Sequence, residues 1–237
     1  LKRIGNPQAD TLAFFFWINT MRVSEAVEAR RSIRAFLDTP VSDATIRTLL
    51  AKAARSPSGG NLQPWRIYVV NGDSMSRFKE FANSQTEREL PAYEIYPKEL
   101  KEPYRSSRFK VGEDMYKLLN IPRDDRPARI RRLMENYQCF GAPAAIFCFI
   151  DQQMGPPQWS DLGMFLQTFM LLAQEEGLGT CAQEAWSARP DTVRQFVGAA
   201  EELTIFCGVA FGYIDTSQAV NELVSDRASL EEFATFV

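Results

Sequence analysis

The chain has 237 residues and no histidine. That absence removes Ser-His-Asp and Cys-His catalysis, histidine-ligated metals and histidine general acid–base chemistry together. If the chain is an enzyme, a bound organic cofactor is the natural carrier of its chemistry. Cysteine is scarce: Cys139, Cys148, Cys181 and Cys207, no two spaced as CxxC. Three lie in the apolar strings QCFG, IFCFI and IFCGV. They read as small buried hydrophobes in a reducing cytoplasm, with a metal site or a disulfide pair as the alternative. Neither GxGxxG nor GxxxxGK[ST] occurs, so a Rossmann or P-loop nucleotide site has no support. Nor is there a basic excess. Lys and Arg number 27 against 30 Asp and Glu, for a net charge of −3, which speaks against a nucleic-acid partner. An anionic ligand must therefore be held by a local cluster of arginines. Long apolar runs are also missing. Leu12 to Ile18 is seven residues, against about 20 for a membrane helix, and no small-residue cleavage site follows it. Met21 opens MRVSEAVEARRSIRAF, which reads as a natural start. Residues 1–20 are thus expected to be a start-site artefact or an N-terminal extension, and 21–237 the domain.

What is present suffices for a sizeable core, since 45% of the residues are hydrophobic. A short helix is expected over 24–30 with Ser24 as N-cap. Ser42 caps a stronger helix, 43–55, whose Ile46, Leu49, Leu50, Ala53 and Ala54 fall on one face. SPSGG stops it. WRIYVV (65–70) reads as a strand, and a helix follows at 74–83. Residues 85–107 are polar, aromatic and interrupted by proline, a long irregular excursion of a kind that is often functional. Helices are expected near 108–119 and 126–136, and a central strand at 142–150. The helix at 159–176 is apolar around much of its circumference, so more than one side must be covered; a subunit interface explains this economically. TCAQEAW leads into a helix at 190–197, 203–214 is a further central strand, and 215–237 is a tail. Strands and helices mix without a βαβ rhythm, which favours an α+β layered fold.

Four segments could carry chemistry. RRSIR (Arg30 to Arg34) puts three guanidiniums and a hydroxyl within five residues. In its extended part Ser32 and Arg34 point to the same side, and the planar fork of arginine suits phosphate. Taken alone, it also reads as a solvated helix end with weak surface ion pairs. SPSGGNLQPW (Ser56 to Trp65) combines glycines that permit close backbone approach with the polar groups of Ser58, Asn61 and Gln63. It could equally be an ordinary helix-to-strand turn, with Trp65 in the core. GLGTCAQEAW (Gly177 to Trp186) places Gln183 and Glu184 between two buried elements, or is a polar strand end. Arg227 in SDRASLEEF is a lone arginine near the C-terminus.

In their order and spacing these four segments resemble the nitroreductase family of FMN oxidoreductases, from about Ala26 to the C-terminus. SPSGGNLQPW is the most specific of them. The resemblance implies a layered α+β fold with a central, mostly antiparallel sheet flanked by helices, in an intertwined homodimer with FMN at the subunit interface. It implies that Arg30, Ser32 and Arg34, with Arg31 nearby, hold the ribityl-phosphate end, and that Arg227 reaches the same phosphate. Pro57, Ser58, Gly59 and Asn61 would approach the isoalloxazine from the partner subunit, with Gln63 close by. Ala182, Gln183 and Glu184 would line the ring edge, the backbone N–H of Glu184 facing N5. No side chain would then be catalytic in its own right. NAD(P)H would reduce FMN, and a nitroaromatic, quinone or similar electron-poor molecule would take the electrons in a ping-pong cycle. The missing histidine fits that scheme.

The segment 85–136 is expected to be a variable lid or insertion. Its Tyr96, Tyr104, Arg105 and Arg108 are candidate substrate contacts, the aromatics stacking on a nitroarene and an arginine pairing with a carboxylate; a solvent-facing cover is the other reading. Three activities remain open at this level: nitro or quinone reduction, a different flavin chemistry on the same fold (reductive dehalogenation or flavin fragmentation), and non-catalytic flavin binding.

Overall fold

The computed structural model describes residues 21–237; the extension expected over 1–20 lies outside them. The fold is built on a sheet of four strands: β1 Arg66–Asn71, β2 Ala144–Asp151, β3 Gly179–Gln183 and β4 Leu203–Gly212. Their order is β1-β2-β4-β3, and every pairing is antiparallel. Side chains alternate across the central strand β2, as a two-residue period requires. Ala145, Phe147 and Phe149 face one core, with Phe78, Trp186 and Val193. Ala144, Ile146, Cys148 and Ile150 face the other, with Ile46, Leu49, Leu162, Phe165 and Phe169. Helices α3 (Asp73–Ser84) and α7 (Pro190–Val197) cover the first face; α2 (Asp43–Ala53) and α6 (Pro156–Glu175) cover the second. The result is the expected α+β layering, with β2 and β4 buried between helices. All four cysteines are free and buried, and burial raises each thiol.

Several expected boundaries move, each for a local reason. Helix α1 is Val23–Ala29, and its N-cap is Arg22, not Ser24. The Arg22 N–H donates to the Glu25 carboxylate at 2.7 Å, which satisfies the helix start two residues before the expected cap. In α2, Ser42 is the cap as expected, accepting from the Thr45 N–H at 3.1 Å, but Ala54 lies outside the helix and is exposed. Helix α4 runs over Tyr104–Leu118 and α5 over Arg126–Met134. α4 begins four residues before its expected start because Glu102 accepts from the Ser106 N–H at 3.1 Å. α6 starts at Pro156, with the Gln158 side chain accepting from Gly155 N–H at 3.2 Å. The expected strand end at TCAQEAW is a full edge strand, β3, too short to announce itself. The tail holds a 3₁₀ turn, Ala219–Glu222, and a short helix α8, Leu230–Phe233.

The excursion after α3 is strapped to the body. Glu89 accepts from the Asp191 and Thr192 N–H groups at the start of α7, at 2.6 and 3.1 Å. Ala92 N–H donates to the Ser187 carbonyl at 2.7 Å. A β-bulge skips Phe206 in the β2–β4 register. Such an extra residue is left out of the ladder, and the Tyr93 hydroxyl takes its carbonyl. Among the described residues no helix is long and apolar enough to cross a membrane, and no cluster of acidic, cysteine or histidine side chains could hold a metal.

Candidate functional site

The segment Arg30–Arg34 leaves α1 and runs along the free edge of β3. Ile33 N–H donates to the Thr180 carbonyl at 2.9 Å, and Ser32 forms a parallel bridge with Thr180. Ile33 is therefore turned into the core at 1% exposure, and Ser32 and Arg34 point the other way, as alternation predicts. This approach depends on Gly179. A Cβ there would stand 2.7 Å from side-chain carbons of both Ile33 and Ile214.

Those outward side chains line a cavity of about 620 Å³, within the usual range for cofactor sites. Arg30, Arg31, Ser32, Arg34 and Arg227 all lie on its wall, with Glu28 as the one carboxylate. None of the four arginines is in an ion pair among the described residues. Burial lowers the Arg30 guanidinium, and the nearby Arg227 adds to the effect. Cationic groups gathered without anions are costly to hold. A dianionic phosphate is the group that would relieve them, through forked charge-assisted hydrogen bonds.

Three residues that hold or line this wall were not legible in the sequence. Asn221 is buried in the tail; its side-chain oxygen accepts from Arg34 N–H at 2.8 Å, and its amide donates to the Ala35 and Asp215 carbonyls at 2.8 and 2.9 Å. Arg132, from α5, donates to the Arg34 carbonyl at 3.2 Å; burial lowers its guanidinium, Glu135 opposing and Arg34 adding to the effect. Gln174 on α6 lines the cavity between these elements. Nothing in a sequence marks such residues, because each acts across 98 or more positions or from an otherwise apolar helix.

β3 leads from the cavity to the segment Ala182–Glu184. Ala182 and Glu184 are exposed. Gln183 departs from expectation: its side chain is buried at 2% exposure. It donates to the Asn136 carbonyl at 2.7 Å and accepts from Trp186 Nε1 at 3.4 Å. Glu184 keeps solvent access, yet desolvation by its surroundings raises its carboxyl above the usual range.

The SPSGGN loop lies elsewhere. None of Pro57, Ser58, Gly59, Asn61 and Gln63 lines the arginine cavity. Much of the loop's polarity is spent on its own shape. Ser58 Oγ accepts from Gln63 N–H at 3.0 Å, and Gln63 Nε2 donates to the Asn61 carbonyl at 3.2 Å. Gly60, Asn61 and Gln63 all have positive φ, between 49° and 57°. The Asn61 side chain and Pro57 stay exposed. Trp65 stacks on Phe165 with centroids 5.0 Å apart, so it belongs to the core.

The four candidate substrate residues divide. Arg108 sits 4.1 Å over the Tyr96 ring, and both line a recess of about 590 Å³ that shares Ser32, Arg34 and Arg227 with the arginine cavity. Arg105 instead pairs with Glu102 at 2.7 Å and lines only a surface hollow that Arg108 also borders. Tyr104 is 67% exposed and lines neither.

An antiparallel α+β core with an arginine-walled cavity at its β3 edge defines the class of a phosphate-bearing cofactor binder. The family model described as the nitroreductase family matches residues 27–213, and the chain belongs to that family. The nitrobenzene nitroreductase of Ectopseudomonas oleovorans is 32% identical over 219 residues, covering 91% of this chain and 96% of the relative. The 4-nitrobenzoate reductase of Pseudomonas putida is 34% identical over 214 residues, 89% of this chain and 93% of the relative. Among solved structures, the FMN and NADPH-dependent nitroreductase NfnB from Sphigopyxis sp. strain HMH superposes with a TM-score of 0.87. It is 41% identical, over 91% of this chain and 99% of that one.

Proposed function

We propose that this chain is an FMN-dependent oxidoreductase that uses NAD(P)H to reduce nitroaromatic, quinone or similar electron-poor small molecules. The observation that carries the reading is the unpaired arginine wall. Arg30, Arg31, Ser32, Arg34 and Arg227 meet at one cavity with a single carboxylate among them, a donor set suited to one terminal phosphate. Gly179 supports it, because its missing Cβ is what lets the phosphate segment lie on β3. FMN, when bound, supplies two-electron hydride chemistry that no side chain of a histidine-free protein offers. The chain's own residues anchor it, orient it and set its electrostatics. The arginines hold the phosphate end. The main chain of Ala182–Glu184 borders the ring end, one strand-length away along β3. A positive wall favours the cofactor's more negative, reduced form.

The ring-side loop, Pro57 to Gln63, completes the site from a second copy of the chain. Two features support this. Within one chain the loop and the arginine cavity do not meet. Around α6, Met164 is 38% exposed and Met170, Leu171 and Leu172 are half-buried, beside an exposed Leu62. The recess with Arg108 and Tyr96 receives the substituent of the substrate that is not reduced. Asp114, Asp226 and Glu232 also line it, but Lys110 pairs with the two aspartates, which leaves Arg34, Arg108 and Arg227 for a substrate carboxylate. Anaerobic mixing tests the core of the reading: NADPH should bleach the bound flavin absorbance and 4-nitrobenzoate should restore it. Flavin that stays oxidised in the presence of both NADH and NADPH would refute it.

A further inference from the structure

Asp161 is an anomaly in α6. It stands in the apolar part of the helix at 4% exposure. Among the described residues no lysine or arginine pairs with it. Its one donor is the main-chain N–H of Gly59, at 3.3 Å from Oδ1 and 3.2 Å from Oδ2. Seven residues on, on the same helix face, Thr168 makes the second fastening: its hydroxyl bonds Ser56 Oγ at 2.9 Å. The SPSGG turn is thus tied to α6 at both ends. The loop that leaves this turn has positive φ at Gly60, Asn61 and Gln63, and it needs such ties, since non-glycine residues resist that conformation. A neutral acceptor such as an asparagine oxygen would hold Gly59 equally well. A buried carboxylate is the expensive choice, and what it adds is a negative charge directly behind the loop.

We infer that Asp161 is a positioning residue for the ring-side loop, and that its charge holds down the reduction potential of the bound flavin. The inference rests on the flavin reading above. The tie at Gly59 sets where the loop presents Pro57, Ser58 and Asn61. It also withdraws the Gly59 N–H from any contact with the ring. The charge opposes the arginine wall: it disfavours the gain of negative charge on the cofactor, and so keeps the reduced form a strong donor to poor acceptors.

Two variants of the full-length, FMN-loaded protein separate the two roles. Asp161→Asn keeps the acceptor and the shape but removes the charge. It is expected to bind FMN within about threefold of the parent and to raise the midpoint potential in a dye-equilibrated spectroscopic titration. Asp161→Leu removes the acceptor, and FMN affinity by fluorescence titration should fall about tenfold or more. Thr168→Val releases the other tie without altering charge; it should weaken FMN and leave the midpoint in place, which guards against misfolding of the leucine variant. An unchanged midpoint in Asp161→Asn overturns the role of the charge. Parent-like FMN affinity in both Asp161→Leu and Thr168→Val overturns the positioning role. If the parent itself takes up no FMN, this inference and the reading it rests on fall together.

Discussion

The side-chain oxygen of Asn221 accepts the main-chain N–H of Arg34 at 2.8 Å, across 187 positions of sequence. The same amide donates to the carbonyls of Ala35 and Asp215, so one buried side chain sews the C-terminal tail to the Arg30–Arg34 segment. Asn221→Leu strands an N–H and two carbonyls, at a cost of about 1–3 kcal/mol for each buried group left unpaired. Urea unfolding should show a lowered midpoint, and FMN binding should weaken alongside it. A variant with parent-like stability and affinity would show that the clamp is dispensable.

Arg34 itself should matter to the cofactor more than to the fold. Its guanidinium makes one protein contact, to the Ser32 carbonyl at 3.3 Å, and otherwise faces the cavity. Arg34→Ala is expected to weaken FMN by about 1.5–3 kcal/mol, the range for a hydrogen bond to a charged group. Fluorescence titration measures it, and a thermal melt of the FMN-free protein should move little. Unchanged FMN release would remove Arg34 from the phosphate site.

Gly179→Ala tests the packing that brings the arginines to the strand edge. The new methyl meets Ile33 and Ile214 at 2.7 Å, and forced overpacking costs about 1–3 kcal/mol. Because Ile33 must retreat, Ser32 and Arg34 move with it. Lower stability and weaker FMN binding should therefore appear together; loss of stability with full FMN affinity would uncouple the strand edge from the site.

Arg105 and Arg108 should separate in kinetics. Arg108 faces the recess beside the arginine cavity, whereas Arg105 is occupied by Glu102. Arg108→Ala should raise KM for a carboxylated nitroarene several-fold and spare an uncharged one. Arg105→Ala should leave both near the parent values. Equal KM values in the parent and both variants would end the carboxylate pairing.

Glu184 gives a pH signature. Desolvation raises its carboxyl in the folded chain, so the folded form holds that proton more tightly than the unfolded form. This linkage favours folding fully at low pH and is lost as pH climbs through the raised folded value. Above it the ionised side chain carries a penalty that glutamine does not. Glu184→Gln should thus exceed the parent in stability near neutral pH, with the gap closing below about pH 4, the ordinary range of a free carboxyl. A gap that widens as pH falls would contradict the sign.

Much of this was legible in order along the chain. The Ser42 cap and the Ile46, Leu49 and Ala53 stripe gave α2; unbroken apolar runs gave β2 and β4. These are local signals, since periodicity and caps act within a few residues. The starts of α1, α4 and α6 were misplaced because the side chains of Glu25, Glu102 and Gln158, not the usual cap residues, met the free N–H groups. β3 escaped as an element because a five-residue edge strand is defined by its partner, β4, and not by its own pattern. Gln183 was assigned to the cofactor through the family resemblance, yet its side chain turns inward to Asn136 and Trp186.

The sequence by itself determined that an enzyme without histidine must borrow its chemistry, that Ser32 and Arg34 of RRSIR point to one side, and that SPSGG ends α2 in a loop. These follow from residue type and near-neighbour geometry. Only the tertiary structure decided that Asn221 comes to the Arg30–Arg34 segment, that Arg132 reaches it from α5, and that Asp161 backs the glycine turn. Each of those contacts joins residues far apart in the chain, and their distances are set by how the helices pack on the sheet.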